Sequence, residues 1–501
     1  MSYNILDYTV TNSFIFPTLG VQAKQLAFLN VNDISYFNVP TPTSKVFYRS
    51  GIKQGQNLDA FLTSNFNERT NFFVGYRGLR SLGAYINELS SIGNFKLGGS
   101  YSSKNDRYHL KTHAVVQDFT QQENGGILEL ELFRIKEGNR EGLDVRLRDA
   151  KTLFKNTRLF ADHSFQLNTS DEQKVWIKHQ INYNYYTKLY TQPSAVSNNL
   201  LDSYFGDFYS SDVRDRLRLN TLLNKVDIEF DSKKLGQLSG FVSAYQYNYI
   251  FNSIVNTSEG SIVPNQLQDY VLNIGGSYVL KTKWLDVLLY ASQSISEKKY
   301  SDYKAETNFQ INDEISLDLL YQYSSKLPDF TTQLYQSDFV HYNWINDFSN
   351  ENAHEVSARL NNPFVNLSGV YKIITDKIYF SNDWYLSDEY GMATRLMVSP
   401  KQHSGTLNYL SLKAQKEFKW RKWALDNTIQ FQQVVQEDDI LNVPTFIARN
   451  SIYYSDYLFK NALFLQGGIT SNYFTNYYMN GYNPVLGDYY VQNSTKIGNY
   501  P

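Results

Sequence analysis

The densest chemistry in the chain lies in RYHLKTHAVV, residues 107–116, where Arg107, His109, Lys111 and His113 alternate with Tyr108, Leu110, Thr112 and Ala114. Imidazoles ligate metals, and a cationic stripe can follow a nucleic-acid backbone or form the wet face of a sheet. In a strand, His109 and His113 share a face but stand ~13 Å apart, whereas a metal reaches each imidazole nitrogen at ~2.1 Å. They cannot share one ion. Lys plus Arg number 47 against 49 Asp plus Glu, a net charge of −2, so no basic surplus supports nucleic-acid binding. The wet face of a sheet remains.

No catalytic constellation replaces it. Seven histidines are scattered along the chain, none in a recognisable nucleophile motif. The patterns G-x-S-x-G and H-E-x-x-H and the phosphate-binding glycine loops are absent. The acids of DDILNV lack calcium-loop spacing. Without cysteine there is neither a disulfide framework nor a thiolate metal site. The sequence therefore leads us to expect no enzyme, no cofactor and no metal.

Strands must carry these residues. Dyad alternation recurs from about residue 44 onward. In DRLRLNTLL, Arg216, Arg218 and Asn220 oppose Leu217, Leu219 and Thr221. In LNYLSLKAQKEF, Tyr409, Ser411, Lys413, Gln415 and Glu417 oppose Leu410, Leu412, Ala414 and Phe418, and in LDNTIQFQQ, Gln430 opposes Ile429 and Phe431. Residues 147–156 are the exception and could form a short helix. Short turns such as 67–70, 232–234, 312–314 and 420–422 alternate with longer links at about 120–157, 188–214, 326–352, 386–404 and 476–487. Short turns at one end and long loops at the other mark a transmembrane β-barrel.

Composition agrees. The 501 residues include 41 Tyr, 32 Phe and 6 Trp, many at strand ends, where aromatic girdles meet a membrane interface. Mean hydropathy is −0.44 and no apolar run is long enough for a membrane helix. A propeller or multi-sandwich alternates too, but no fixed repeat of propeller length is visible.

DISYFNVPTPTSKVFYRSG and its continuation to residue 85, SYSSKNDRYHL (100–110), QENGGI (122–127), LRDAKTLFKNTRLF (147–160) and GDYYVQNSTKIGNYP (487–501) together resemble the "putative porin" family of the Bacteroidota outer membrane. The resemblance implies a signal-peptide-bearing outer-membrane barrel that conducts small solutes, with no established catalytic or ligand-binding residue to carry over. Here no leader precedes the first strands, and family members continue past this chain's last residues with further strands. The expectation is a fragment, with an unpaired sheet edge near residue 44 or near the C-terminal end.

The sequence thus predicts an all-β fold, a large antiparallel transmembrane barrel of roughly 18–22 strands when complete. Residues 1–43 form a lead-in and 44–501 the barrel. Arg107, His109, Lys111, His113, Arg216, Arg218, Lys413, Gln415, Glu417 and Gln430 should line the pore. Leu217, Leu219, Leu410, Leu412, Ile429 and Phe431 should face lipid. Glu129, Glu131, Asp144, Arg146 and Arg148, in the charged stretch 127–156, form either a solvated loop or a constriction folded into the lumen, since charged rings select permeants by sign. If that loop folds inward, its acids are the natural partners of the 107–113 stripe. The leading function is passive diffusion of small hydrophilic solutes. The alternative is a scaffold barrel with a plugged lumen. Outer-membrane lipid is an expected partner and nucleic acid is not.

Overall fold

Alternation and short turns produce one continuous antiparallel sheet. The computed structural model describes Tyr8 and residues 16–51, 54–128, 130–135, 140–170, 172–195, 203–257, 260–382 and 395–498. Its main strands begin with β1 (Thr43–Gly51), β2 (Gly55–Asn67), β3 (Thr70–Ser81), β4 (Ser90–Ser102) and β5 (Tyr108–Gln122). Then come β6 (Lys151–Gln166), β7 (Gln173–Gln192), β8 (Val213–Ser232), β9 (Gly236–Ile250) and β10 (Gln266–Lys281). β11 (Leu285–Ser294), β12 (Ser301–Gln310), β13 (Ser316–Lys326), β14 (Glu351–Asn361) and β15 (Asn366–Asn382) follow. The last are β16 (Val398–Trp420), β17 (Trp423–Val435), β18 (Phe446–Leu458) and β19 (Leu463–Phe474). Each pairs with its neighbour in sequence, giving a 19-stranded sheet.

Turns such as 68–69, 233–235 and 421–422 cluster at one end, and β5, β13 and β15 end at the other, where the longer link 327–350 lies. In membrane barrels the short-turn end is periplasmic and the loop end extracellular. β1 and β19 each pair on one side only, so the sheet has an unpaired edge both near residue 44 and near its C-terminal end. Both run from the turn end to the loop end. They are parallel to each other and cannot continue the antiparallel ladder directly.

Register and burial assign the two faces. On the periplasmic half of β8, Val226 and Ile228 are exposed outward, while Glu229 faces in and meets Lys178 of β7 at 2.5 Å. On β16 and β17, Leu412, Ile429 and Phe431 are exposed on the outer face while Ser411, Gln430 and Gln432 are buried on the inner one. An apolar outer band around a polar interior is what a bilayer demands.

Three segments differ from their sequence reading. Residues 147–156 are not helical: β6 starts at Lys151, and Thr152, Phe154 and Asn156 alternate inward to bury their side chains. A short helix, α1 (Leu130–Ile135), forms earlier in the same loop. Residues 475–498 are not barrel wall. They make two small ladders, Tyr477–Tyr478 with Lys496–Ile497 and Gly481–Asn483 with Asp488–Tyr490. In the turn of the second ladder, Val485 and Leu486 are buried in the main core.

That core sits inside the barrel's loop end. Phe330, Leu334, Tyr335, Phe339 and Tyr342 of the 327–350 link join Phe205, Val485 and Leu486 there, against the inward faces of β6 to β10.

Candidate functional site

The lumen is the candidate site, and its contents come from the lead-in. Residues 16–42 descend the inner wall from the loop end to the turn end, where β1 begins. Phe16 stacks on Tyr245 with centroids 4.3 Å apart. The Thr18 hydroxyl donates to Asp329 at 2.8 Å, and Phe330 N–H donates to the Thr18 carbonyl at 2.9 Å. Gly20, at φ +84°, lies so close to Thr331 that a Cβ would collide with its hydroxyl.

Below, the strand wall grips the segment's main chain. Gln117 of β5 clamps Leu29, accepting its N–H at 2.7 Å and donating to its carbonyl at 3.2 Å. Arg158 of β6 donates to the same carbonyl at 2.6 Å, and Asn94 of β4 donates to Ala27 at 3.0 Å. These inward polar side chains satisfy backbone groups that a buried, unpaired strand would leave orphaned. Lower still, the Tyr36 hydroxyl meets His113 Nδ1 at 2.8 Å, and Phe37 packs on Phe61 and Phe73.

Charge fastens the upper part. Lys24 Nζ meets Glu123 Oε1 at 2.6 Å, with both side chains nearly inaccessible (3% and 2%). Gln121 accepts from Lys24 at 2.8 Å and the Tyr482 hydroxyl donates to Glu123 at 3.0 Å. Burial pulls the Lys24 ammonium below its usual range while Glu123 holds it up. Lys188 of β7 donates to the Tyr335 hydroxyl at 2.8 Å and to the Val485 carbonyl, joining wall, inward loop and C-terminal segment.

Asp488 accepts from Gln22 N–H at 3.5 Å, and burial raises its carboxyl to about 6. That lies above the ordinary aspartate value of ~3.9, so its contribution to holding the segment is fully present below about pH 4 and is lost as pH rises through about 6. Hydrogen exchange across residues 19–25, corrected for intrinsic rate, should therefore be faster at pH 7 than at pH 5. Asp488→Asn should remove the step; a variant that keeps it would show that Asp488 is not its source.

Two of the cavities beside the plug lie against the strand wall. One of about 590 Å³ at the turn end is lined by Arg69, Asn71, His109, Lys111, Asp162 and Lys178. The other, of about 700 Å³, lies along β10 to β16 among Lys281, Asp286, Glu306, Asp318, Glu355, Arg359 and Lys413. Lys304 pairs with Glu306 at 2.5 Å and Lys372 with Glu355 at 3.1 Å, so the second chamber presents both signs to water.

The predicted pore residues divide. Lys413, Gln415 and Glu417 take the inward register of β16, His109 and Lys111 face the turn-end cavity, and Gln430 is buried on the inner wall. His113 also points in, but lies under Tyr36 and is 3% exposed. Arg107 is not a lining residue: it precedes β5 and caps the neighbouring turn, donating to the carbonyls of Gln166 and Leu167.

Arg216 and Arg218 are reversed. They face outward, and Leu217 and Leu219 are buried in the core at 2% and 1% exposure. This part of β8 stands at the loop end, above the apolar band, so its outer face meets water and its inner face meets the plug. Polarity inverts accordingly.

The charged loop does not form a constriction. Leu143, Val145 and Leu147 turn inward, leaving Asp144 and Arg148 paired with each other on the exposed side. Arg146 lies over the Tyr204 ring at 5.0 Å, and Glu131 is exposed. Glu129 lies outside the described residues. The described part of this loop is at the opposite end of β5 from His109 and Lys111, so Glu131 and Asp144 are not their partners.

Lys24, Gln117, Glu123, Arg158 and Asp488 were missed in the sequence, and Gln117, Arg158 and Asp488 carried no signal of a site there. The only cationic side chain of residues 1–43, Lys24, and the glutamate of QENGGI were the available traces.

Among solved structures, the siderophore receptor PirA from Acinetobacter baumannii matches with TM-score 0.58 at 11% identity, over 89% of this chain and 69% of that one. The copper transporter OprC matches with TM-score 0.60 at 11% identity, over 88% and 68%. The ferric enterobactin receptor PfeA from Pseudomonas aeruginosa matches with TM-score 0.56 at 9% identity, over 92% and 71%. At such identities the likeness is one of fold. Among curated protein sequences none matches. A family model described as "Putative porin" matches residues 1–501, and with an apolar outer band around a polar lumen the chain belongs to that family, a β-barrel of the bacterial outer membrane.

Proposed function

We propose that this protein is a transport channel for small hydrophilic solutes, closed at rest by its own lead-in segment and inward loops. The observation that carries the reading is the buried Lys24–Glu123 pair, which fixes the segment against the barrel wall. A freely diffusing pore needs a continuous wet path, whereas here an apolar core occupies the loop end. The structural neighbours include receptors for siderophores and a copper transporter, which fits controlled uptake better than an always-open sieve. A scaffold barrel is the second reading, favoured by the same plug.

Single-channel recording in planar bilayers separates them. The intact chain should show rare or low conductance, and removal of residues 16–40 should raise it several-fold. In that variant, reversing Arg359 and Lys413 to Glu should shift the reversal potential toward cations, because charged groups lining a narrow path set selectivity. Large steady conductance in the intact chain would overturn the resting closure. Silence in both forms would favour the scaffold.

A further inference from the structure

Arg214, Arg216 and Arg218 occupy alternate positions on β8 and project from its outer face at the loop end. The register shows what lies around them. Arg214 is level with Thr191 of β7, Arg216 with Leu189 and Arg218 with Thr187. The next rows toward the membrane pair Tyr185 with Asn220 and Tyr183 with Leu222, and Tyr183 donates to Asn220 at 3.3 Å. Tyr270 of β10, 54% exposed, stands in the row of Leu222 through Gln246 of β9. Below these tyrosines the outer face becomes apolar with Val226 and Ile228.

Tyrosines at the rim of an apolar band mark the membrane interface. The arginines therefore begin one row above it, at headgroup level on the extracellular side. Their charges are available. The guanidinium groups of Arg214 and Arg216 have no hydrogen-bond or ion-pair partner among the described residues, and Asp338 accepts only the backbone N–H of Arg214. Arg218 donates one long bond to Asn252, at 3.4 Å, and its Nε is buried without a partner. Asp215 points inward to Ser337 and Asp338. Asp212 lies two residues above the ladder. Lys151 of β6 shares Arg214's row across Thr191, and Lys155 below it is already paired with Asp118 at 2.9 Å.

We propose that Arg214, Arg216 and Arg218 form a phosphate-binding ladder for phosphorylated lipid of the outer leaflet. Guanidinium groups match phosphate geometry with paired donors, and cations near a membrane surface bind anionic headgroups. A lipid is favoured over a soluble anion because the ladder borders the aromatic rim, where an acyl chain can follow Val226 and Ile228 while its headgroup meets the arginines. The inference stands independently of how the lumen works.

Binding of lipid A to the purified full chain, followed by native mass spectrometry with inorganic phosphate as competitor, tests it. Arg216→Gln should weaken lipid A binding about fivefold, and the triple change of all three arginines to Gln roughly a hundredfold, at the energy of an arginine near an anionic surface. Lys233→Gln, in the exposed turn at the opposite end of β8, should bind as the parent does. Inorganic phosphate at matched phosphate concentration should not compete. Undiminished lipid binding by the single and triple variants would overturn the proposal; competition by inorganic phosphate would overturn the lipid assignment. The single variant keeps the test open if the triple one fails to fold, because the Arg216 guanidinium has no hydrogen-bond or ion-pair partner among the described residues.

Discussion

Glu123→Ala should loosen the lead-in segment by about 3–5 kcal/mol, the cost of leaving a buried charge without its partner. The change strands the Lys24 ammonium among Gln121 and Tyr482, in a place water does not reach. Either Lys24 deprotonates or the segment leaves the wall. Hydrogen exchange across residues 19–29 should accelerate by roughly two to three and a half orders of magnitude, at ~1.4 kcal/mol per tenfold. The double change Lys24→Met with Glu123→Met should recover most of the protection, since a well-packed apolar pair replaces a buried ion pair at little cost. Unchanged exchange in Glu123→Ala would mean that the Gln117 clamp on Leu29, rather than the ion pair, holds the segment.

Leu412→Arg should destabilise the barrel by about 2–4 kcal/mol, the range for a cation on the lipid face at the bilayer midplane. Leu412 is 50% exposed on the outer face of β16, beside outward Phe431 of β17. The adjacent change Lys413→Gln should stay within ~0.5 kcal/mol, because Lys413 borders the wet chamber and has no ion-pair partner among the described residues. Urea unfolding in lipid vesicles reads both. Equal effects at 412 and 413 would contradict the assignment of faces.

Much of this was legible in the sequence because a strand's side chains have a strict period of two. Alternation in LNYLSLKAQKEF and LDNTIQFQQ gave both the strands and their lipid and lumen faces. Alternation reports only that two faces differ, however, not which one is inside. In DRLRLN the same pattern stands above the bilayer, and Arg216 and Leu217 exchanged the sides that a membrane-level reading assigns them. The charged run 127–156 was ambiguous for a related reason. Its alternating Leu143, Val145 and Leu147 seal the loop end, leaving its charges on the outside.

The sequence by itself determined the class of fold, the turn and loop ends and the membrane-level faces of β16 and β17, because these depend on neighbours one to fifteen residues apart. Only the tertiary structure decided what fills the lumen. Lys24 meets Glu123 across 99 positions and Gln22 meets Asp488 across 466. Tyr8 and Thr18 likewise find their partners, Lys372 and Asp329, more than 300 residues away. Contacts at such separation leave no periodicity in a single chain. The lead-in reads as an ordinary irregular segment because its backbone partners are side chains of the wall rather than a neighbouring strand. What closes the barrel's interior is therefore a property of the folded wall, with Gln117, Arg158 and Glu123 each placed by a strand register that the alternating pattern set for another reason, to keep the opposite face in lipid.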